Sequence, residues 1–292
     1  MSPDDPLTPP NLPTRSNLPT SSNLPTRSNV LTPADQAALW DRLRAATPAR
    51  IALGRVGHAP PLGAVLAFQL DHARARDAIH SPLDTVALAG ELAPLPTITV
   101  ASAAGDRTTY LRRPDLGRSL ARAGAAQLAL VDAGYDVVIV IGDGLSATGV
   151  QAGAPTLVRA LVGELDGLTL APVVIATGAR VALGDAVGEA LGARVTIMVI
   201  GERPGLTVAD SLGIYMTFGP RVGRADSERN CISNIHARGG LSPDRAAALL
   251  GRLLREALRR GLSGVDLKDD AEFLAAPESF LIASPDGTPN DG

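Results

Sequence analysis

The residues best placed for chemistry lie in three glycine-rich turns, each directly after a run rich in Val and Ile. These turns span residues 142–147, 177–181 and 201–205. Glycine has no Cβ, so it permits tight turns and lets the backbone approach a flat or phosphate-bearing ligand closely. A single turn of this kind is explained most simply as an ordinary strand-to-helix connection. Three of them together indicate a cofactor site.

The first turn nearly matches a dinucleotide-binding loop but lacks part of that pattern. Residues 142–147 read Gly-Asp-Gly-Leu-Ser-Ala, close to G-x-G-x-x-[GA]. The pattern also needs an acidic residue at the end of the next strand to hold the ribose, and this chain has Ala176-Thr177 there. In addition, Asp143 would repel a pyrophosphate. A free-standing nicotinamide-dependent Rossmann oxidoreductase is therefore the alternative interpretation and not the first one.

Residues for metal or nucleophilic chemistry are few. None of the four histidines belongs to an HExxH motif or a close metal-binding pair; they are His58, His72, His80 and His236. Residues 234–239 loosely resemble the DxHxxG motif of base-off cobalamin binders, but Asn234 replaces the Asp, and a capped turn or a satisfied histidine explains them more simply. Cys231 has no base placed beside it and fits a small apolar filler. We therefore predict no catalytic residue and no metal ligand.

The composition narrows the class of protein. The chain has 292 residues, of which 45% are hydrophobic and 3% aromatic, with one cysteine and a formal net charge of -3. One cysteine excludes an intramolecular disulfide framework and a thiolate-rich zinc site, which favours a reducing compartment. Because the net charge is slightly negative, the chain has no excess of positive charge to attract nucleic acid or an anionic membrane. The apolar runs have strand length, so neither a membrane span nor a signal peptide is predicted.

Alternating strands and helices must position the three turns. Runs rich in Val and Ile predict strands over residues 137–141, 173–175 and 195–200. Amphipathic segments around them predict helices over residues 116–132, 155–165, 185–191 and 243–260. Continuous apolar runs are typical of parallel strands buried on both faces. The sequence thus predicts an α/β fold, a Rossmann-like parallel sheet with helices on both faces.

Changes in composition and hydrophobic pattern divide the chain into four predicted parts. Residues 1–30 contain a six-residue unit rich in Asn, Pro and Ser that is repeated three times over residues 11–28, which predicts a disordered head. A docking or encapsulation tag is the alternative interpretation of this head. Residues 31–115 are predicted as a small helical N-terminal domain that begins with a helix N-cap at Thr32 and has a candidate short strand over residues 98–100 near its end. The Rossmann-like domain is predicted over residues 116–268, and a flexible tail over residues 269–292.

Six short segments, in this order, resemble the light chain of ethanolamine ammonia-lyase. They are residues 50–57, 71–77, 111–118, 143–146, 201–206 and 231–236. Gly-Glu-Arg-Pro-Gly-Leu at 201–206 together with Cys-Ile-Ser-Asn-Ile-His at 231–236 is specific, whereas neither segment would be specific alone. The resemblance covers about residues 49–268, so the head and the tail inherit nothing from it.

The resemblance implies an adenosylcobalamin-dependent enzyme that converts ethanolamine to acetaldehyde and ammonia. In that family the large (heavy) subunit is a TIM barrel that carries out the rearrangement. The small subunit, inactive alone, contributes a Rossmann-like cobalamin-binding surface to a hetero-oligomer. The cofactor lies between the two chains and is bound base-on, so no protein histidine ligates cobalt. The positions that match the family's cofactor contacts are Val181, Glu202 and Cys231.

Location and a further rival interpretation stay open at this stage. The resemblance implies a cytoplasmic enzyme, and the sequence does not decide whether that enzyme is packaged in a bacterial microcompartment. A non-catalytic interaction module is a third interpretation, based on the repeated head and the low aromatic content. Substrate preference is expected to belong to the large subunit.

Overall fold

The structure, a computed structural model, describes residues 32–268. The head predicted over residues 1–30 and the tail predicted over residues 269–292 lie outside the described residues. The chain divides into two compact units, residues 1–52 and residues 53–292, and each is described by itself.

The described part of the first unit contains helix α1 (Pro33–Ala46). The Thr32 hydroxyl accepts a hydrogen bond from the backbone N–H of Asp35 (3.1 Å), and the Asp35 carboxylate accepts one from the backbone N–H of Thr32 (3.2 Å). This reciprocal capping box, with a proline at the first helical position, satisfies donors that a helix start otherwise leaves free. The helix start predicted at Thr32 is confirmed.

The described part of the second unit forms a six-stranded sheet. Its strands are β1 (Thr97–Ala101), β2 (Val137–Gly142), β3 (Val173–Thr177), β4 (Val195–Gly201), β5 (Leu212–Phe218) and β6 (Arg229–Ile235). The order across the sheet is β1-β3-β2-β4-β5-β6. The three predicted strands are confirmed as β2, β3 and β4, which lie side by side in the middle of the sheet.

The sheet is mixed, so the prediction of a parallel sheet is wrong at one edge. Strands β1, β3, β2 and β4 run parallel, but β5 pairs with β4, and β6 with β5, in antiparallel register. A parallel connection needs a crossover of about a dozen or more residues, usually a helix. Residues 202–211 join β4 to β5 without any helix. An antiparallel return is the arrangement that such a connection allows.

Helices pack on the sheet through two separate cores. The α-helices in the described part of this unit are α2 (Leu62–His80), α3 (Thr85–Leu92), α4 (Arg107–Arg112), α5 (Pro114–Gly117), α6 (Arg122–Leu128), α7 (Ala147–Gly163), α8 (Leu183–Ala190) and α9 (Pro243–Arg260). Ile139 and Ile141 of β2 belong to one core with residues of α3, α7 and α9. Val138 and Val140 belong to the other with residues of α6 and α8. Since side chains alternate along a strand, each face of the central strands carries its own core.

Two predicted helices differ from those observed. The single helix predicted over 116–132 is wrong, because α5 ends at Gly117 and α6 begins at Arg122. Gly117 packs so closely that a Cβ there would lie 2.8 Å from Cγ of Arg180. Helix α7 begins upstream of the predicted residue 155, because the Ser146 hydroxyl caps it by accepting from the N–H of Gly149 (3.1 Å). The helix predicted over 243–260 is confirmed at both ends as α9.

Strand β1 lies inside the segment predicted as a helical N-terminal domain. It pairs with β3 along its whole length, from Thr97 opposite Val173 to Ala101 opposite Thr177. It therefore extends the same sheet as the central strands. The four-part division of the chain stays a prediction.

Candidate functional site

The three glycine-rich turns lie together where the parallel strands end, at the carboxyl edge of the sheet. They follow β2, β3 and β4, and parallel neighbouring strands end at the same edge. The backbone N–H of Leu145 donates to the carbonyl of Gly201 (2.9 Å), which joins the first turn to the third. A Cβ on Gly144, whose φ is +54°, would lie 2.2 Å from that carbonyl oxygen. This glycine is therefore required by contact between two backbones.

Asp143 ties the first turn to the second. Its buried carboxylate accepts hydrogen bonds from the backbone N–H groups of Gly178 (3.0 Å) and Ala179 (2.9 Å). Nη1 of Arg107 lies 3.3 Å from the same carboxylate and donates to the Gly144 carbonyl (2.8 Å). Burial raises the pKa of the Asp143 carboxyl above its usual value, while these donors act in the opposite direction. The side chain acts as a structural clamp between turns.

The start of α7 is covered by the chain itself. The Ser146 hydroxyl donates to the Ala209 carbonyl (2.6 Å). A Cβ on Gly149 would lie 2.9 Å from the carbonyl carbon of Asp210. In a dinucleotide-binding protein, this helix start faces the pyrophosphate. Here residues 209–210 occupy that place, so the geometry does not favour the nicotinamide alternative.

An open groove of about 470 Å³ lies beside these turns. We call it the edge groove, and its lining residues are Tyr110, Gly144, Leu145, Arg180, Val181, Ile200, Gly201, Glu202, Arg203 and Tyr215. A second groove of about 410 Å³ shares Arg180, Val181 and Tyr215 with it. Two of the predicted site residues, Val181 and Glu202, therefore line the same groove.

Glu202 is held in place from two directions. Its carboxylate accepts hydrogen bonds from the Ser211 hydroxyl (2.5 Å) and from the backbone N–H of Asn234 (3.2 Å). A Cβ on Gly213 would lie 3.1 Å from Oε1 of Glu202, so the glycine leaves room for this carboxylate. A preoriented carboxylate at a groove can accept hydrogen bonds from a ligand.

Cys231, the third predicted residue, is not among the residues that line the edge groove. It lies on β6, the strand next to β5. It is exposed and stands directly opposite Tyr215 of β5. Although the residue as a whole is exposed, partial burial of its sulfur raises the pKa of the Cys231 thiol. A hydrogen bond with Tyr215 lowers that pKa, and the Glu202 charge raises it. Burial and the neighbouring thiol raise the pKa of Tyr215 to about 12. Glu202, Tyr215 and Cys231 thus interact electrostatically, and Tyr215 connects the thiol to the groove.

Arg180 and Tyr110 form the other side of the edge groove. The guanidinium of Arg180 lies 4.3 Å from the centre of the Tyr110 ring, a cation–π arrangement. Tyr110 is fully buried and donates its hydroxyl to the Ala179 carbonyl (3.2 Å). Burial raises the pKa of Tyr110 to about 12, so its hydroxyl stays a donor. Arg180 therefore has a fixed platform beneath it.

His236 lies in a turn in which its own neighbours use both ring nitrogens. Nε2 contacts Oδ1 of Asn234 (2.8 Å), and Nδ1 accepts from the backbone N–H of Arg238 (3.1 Å). These contacts assign the proton to Nε2. The histidine is satisfied locally, as the sequence interpretation expected.

Sequence reasoning missed three residues of the edge groove. Arg180 stands next to Val181 in a turn that was identified, but no pattern marked its side chain. Tyr110 lies on α4, far from the turns in sequence. Tyr215 belongs to β5, a strand absent from the predicted elements. Only the pairing of β5 between β4 and β6 brings Tyr215 between the groove and Cys231.

Fold and site define a class: an α/β protein with an open groove at the carboxyl ends of its parallel strands, the place where ligands bind in such folds. Within residues 32–268, no group of three or more His, Cys, Asp or Glu side chains is arranged to hold a metal ion. No helix in this described range is long and apolar enough to span a bilayer.

Comparisons with known proteins identify the family. The family model "Ethanolamine ammonia-lyase light chain (EutC)" matches residues 37–268. The chain is similar to the "Ethanolamine ammonia-lyase small subunit" of Azotobacter vinelandii, with 52% identity over 257 residues, 83% of this chain and 95% of that protein. The protein of the same name from Rhodopseudomonas palustris is 51% identical over 248 residues, with the same two coverages. The chain therefore belongs to the ethanolamine ammonia-lyase light chain family.

Proposed function

We propose that this chain is the small subunit of an adenosylcobalamin-dependent ethanolamine ammonia-lyase. With a large subunit it would convert ethanolamine to acetaldehyde and ammonia. One observation carries the proposal in this chain: Val181 and Glu202 line one groove, and Tyr215 connects that groove to Cys231. Val181, Glu202 and Cys231 are the positions that match the family's cofactor contacts, and they come from three separate parts of the chain.

The residues of the edge groove fit the cofactor that the family implies. Corrin is a broad ring fringed with amides, so it needs apolar contact together with scattered hydrogen-bond partners. Val181 offers apolar contact, Glu202 can accept from amide or ribose groups, and Cys231 is small and polarizable. The buried Nε of Arg180 has no hydrogen-bond partner among residues 32–268, which indicates a site that a ligand completes.

In the proposed enzyme, this chain binds and orients the cofactor. Bound adenosylcobalamin supplies a radical through homolysis of its cobalt–carbon bond. The apolar residues of the groove help to exclude water from that region. We propose that no residue of this chain is a catalytic acid or base, and that none ligates cobalt, because the ring nitrogens of His236 are engaged by its own turn.

The remaining parts of the proposal concern fold type, assembly and location. We propose that the sheet is of the Rossmann type, since β2, β3 and β4 run parallel and the groove lies at their carboxyl ends. The small subunit would act within a hetero-oligomer, with the cofactor between it and the large subunit. We propose a cytoplasmic location, and packaging in a microcompartment stays open.

Reconstitution with a large subunit from the same genome tests the proposal. The complex should release ammonia from ethanolamine only when adenosylcobalamin is present, and the isolated chain should not. A complex that shows no release with several small amino alcohols would contradict the proposal. Tight binding of NAD(H) by the isolated chain would instead support the oxidoreductase alternative. A chain that neither assembles with the large subunit nor binds cobalamin would support the interaction module.

A further inference from the structure

Arg180 carries a positive charge that no described carboxylate neutralises. Within residues 32–268 its hydrogen-bonding contact is Nη2 to the Tyr110 carbonyl, at 3.5 Å, and its Nε is buried without a partner. Arginine keeps its charge at any physiological pH, and buried donors in proteins are ordinarily satisfied. The Tyr110 ring holds the guanidinium in place at 4.3 Å. The side chain is thus positioned, charged and left with free donors.

The lack of a carboxylate partner sets Arg180 apart from the arginines of the adjoining cavities, although Nη2 of Arg107 is also buried without a hydrogen-bond partner among residues 32–268. Arg118 lines the second groove and lies 3.7 Å from Asp226. Arg107 lines a cavity of about 160 Å³ on the other side of the first turn and lies 3.3 Å from Asp143. An unpaired guanidinium is therefore a property of the edge groove and not of this whole face.

A second cation lines the same groove. Arg203 is exposed and has no ion pair with any residue in the described range 32–268. The carboxylate that lines the groove, Glu202, already accepts from Ser211 and Asn234. Two unpaired guanidinium groups beside one engaged carboxylate give the edge groove an excess of donors and of positive charge. Such a groove favours a ligand with an anionic acceptor.

We infer that Arg180, assisted by Arg203, binds the phosphodiester in the nucleotide loop of cobalamin. The inference rests on the proposed function and deepens it. The planar fork of a guanidinium matches two phosphate oxygens, and the phosphodiester is the anionic group on a periphery otherwise made of neutral amides. Val181 is adjacent to Arg180 in the same turn, so one short segment supplies both an apolar contact and an anion contact.

Three corrinoids distinguish the contribution of the phosphate to binding from that of the rest of the cofactor. Adenosylcobalamin has both phosphate and nucleotide base, adenosylcobinamide phosphate keeps only the phosphate, and adenosylcobinamide has neither. Binding to the complex of full-length chain and large subunit is measured by spectroscopic titration. Arg180→Met should weaken the two phosphate-bearing ligands by roughly tenfold to a hundredfold and leave adenosylcobinamide unchanged. Arg180→Lys should lie between, since it keeps the charge but loses the fork.

Two further variants control the experiment. Arg203→Met changes an exposed residue and should cause a smaller loss with the same phosphate dependence. Arg194→Met removes an equal charge from an exposed arginine that pairs with the half-buried Asp136. This pair lies at the start of β4, the opposite end of the sheet, so the variant should not alter binding.

Three results would overturn the inference. Equal weakening of all three ligands by Arg180→Met would assign Arg180 to the corrin or to folding, with the proposed function intact. Loss of assembly with the large subunit would assign it to a carboxylate of that partner. If the wild-type complex bound none of the ligands, the proposed function would fall together with the inference.

Discussion

The two halves of the carboxyl edge of the sheet differ in how their charged groups are paired: Arg107 has a carboxylate partner in Asp143, and Arg180 has none among residues 32–268. In the turn after β2, the Asp143 carboxylate pairs with Arg107 and accepts from two backbone N–H groups, although Nη2 of Arg107 is buried without a partner among residues 32–268. In the edge groove, Arg180 keeps a free donor and Glu202 is only partly enclosed. The glycine-rich turn that looks most like a ligand loop therefore serves mainly as scaffold. Gly144 and Leu145 line the edge groove, but the charged residues available to a ligand come from the other two turns. Glycines mark close approach, but not whether a ligand or the chain itself approaches.

Replacement of Asp143, which holds the turn after β2, should produce the largest loss of stability. Asp143→Ala leaves the Arg107 charge and the N–H groups of Gly178 and Ala179 without their acceptor. Breaking a buried ion pair by removing one partner costs roughly 3–5 kcal/mol in the free energy of unfolding. Urea unfolding of the full chain measures this loss.

Asp115→Ala is the matched control, because it removes a carboxylate from an exposed pair with Arg113. Its effect should be far smaller, since water replaces the lost partner. Similar losses in both variants would show that Asp143 is not a clamp, and would remove the distinction between the two halves.

Replacement of Gly144 tests whether the first turn is closed by backbone contact. Gly144→Ala adds a Cβ 2.2 Å from the Gly201 carbonyl oxygen, at a φ of +54°. Backbone strain together with overpacking should destabilise the fold by about 3 kcal/mol.

Gly167→Ala separates strain from overpacking. Gly167 has a φ of +78° but nothing within 4 Å of an added Cβ, so only the conformational cost of about 1 kcal/mol is expected. Thermal unfolding of both variants should show a clear gap. A Gly144 variant no less stable than the Gly167 variant would mean that the turn can open, as a ligand loop would.

Replacement of Glu202 should act on ligand binding. Glu202→Ala removes the preoriented acceptor of the edge groove and should weaken adenosylcobalamin binding by roughly tenfold in the two-subunit complex. Cys231→Ala should have a milder effect, because the thiol provides contact and no charge. Titration of cofactor into each complex measures both. If Cys231→Ala abolished turnover while the cofactor stayed bound, the prediction that no residue of this chain is catalytic would be wrong.

The smallest predicted effect concerns the Cys231 thiol. Only the thiolate reacts with iodoacetamide, and a raised pKa means that alkylation sets in at higher pH than for a free thiol. Glu202→Gln removes a negative charge that opposes ionisation, so the alkylation profile should move to lower pH. Tyr215→Phe removes a hydrogen bond that lowers the thiol pKa, so the profile should move to higher pH. The chain has one cysteine, so the label reports one site. Identical alkylation profiles in the wild type and in both variants would show that Glu202 and Tyr215 do not influence the ionisation of Cys231.

Sequence patterns predicted the central strands and the closing helix well, because these elements follow local rules. The Val and Ile runs of β2, β3 and β4 are buried, as continuous apolar runs require. Local residues mark both ends of helix α9: Ser242 caps its start, Pro243 is its first residue, and Gly261 follows its end. The antiparallel edge was not predicted. Strand β5 contains Gly213, Tyr215 and Thr217, and its register depends on pairing with β4 and β6.

The sequence by itself determined the α/β class, the positions of the glycine-rich turns and the family, since apolar periodicity and short motifs are local and survive without coordinates. Through the resemblance it also predicted Val181, Glu202 and Cys231 as cofactor contacts, which stays a prediction. Only the tertiary structure decided which turn is scaffold and which residues face a groove. Hydrogen-bond satisfaction depends on residues distant in sequence: the acceptor for Gly178 is Asp143, and the platform for Arg180 is Tyr110. No local pattern contains such pairs, because long-range packing alone brings them together.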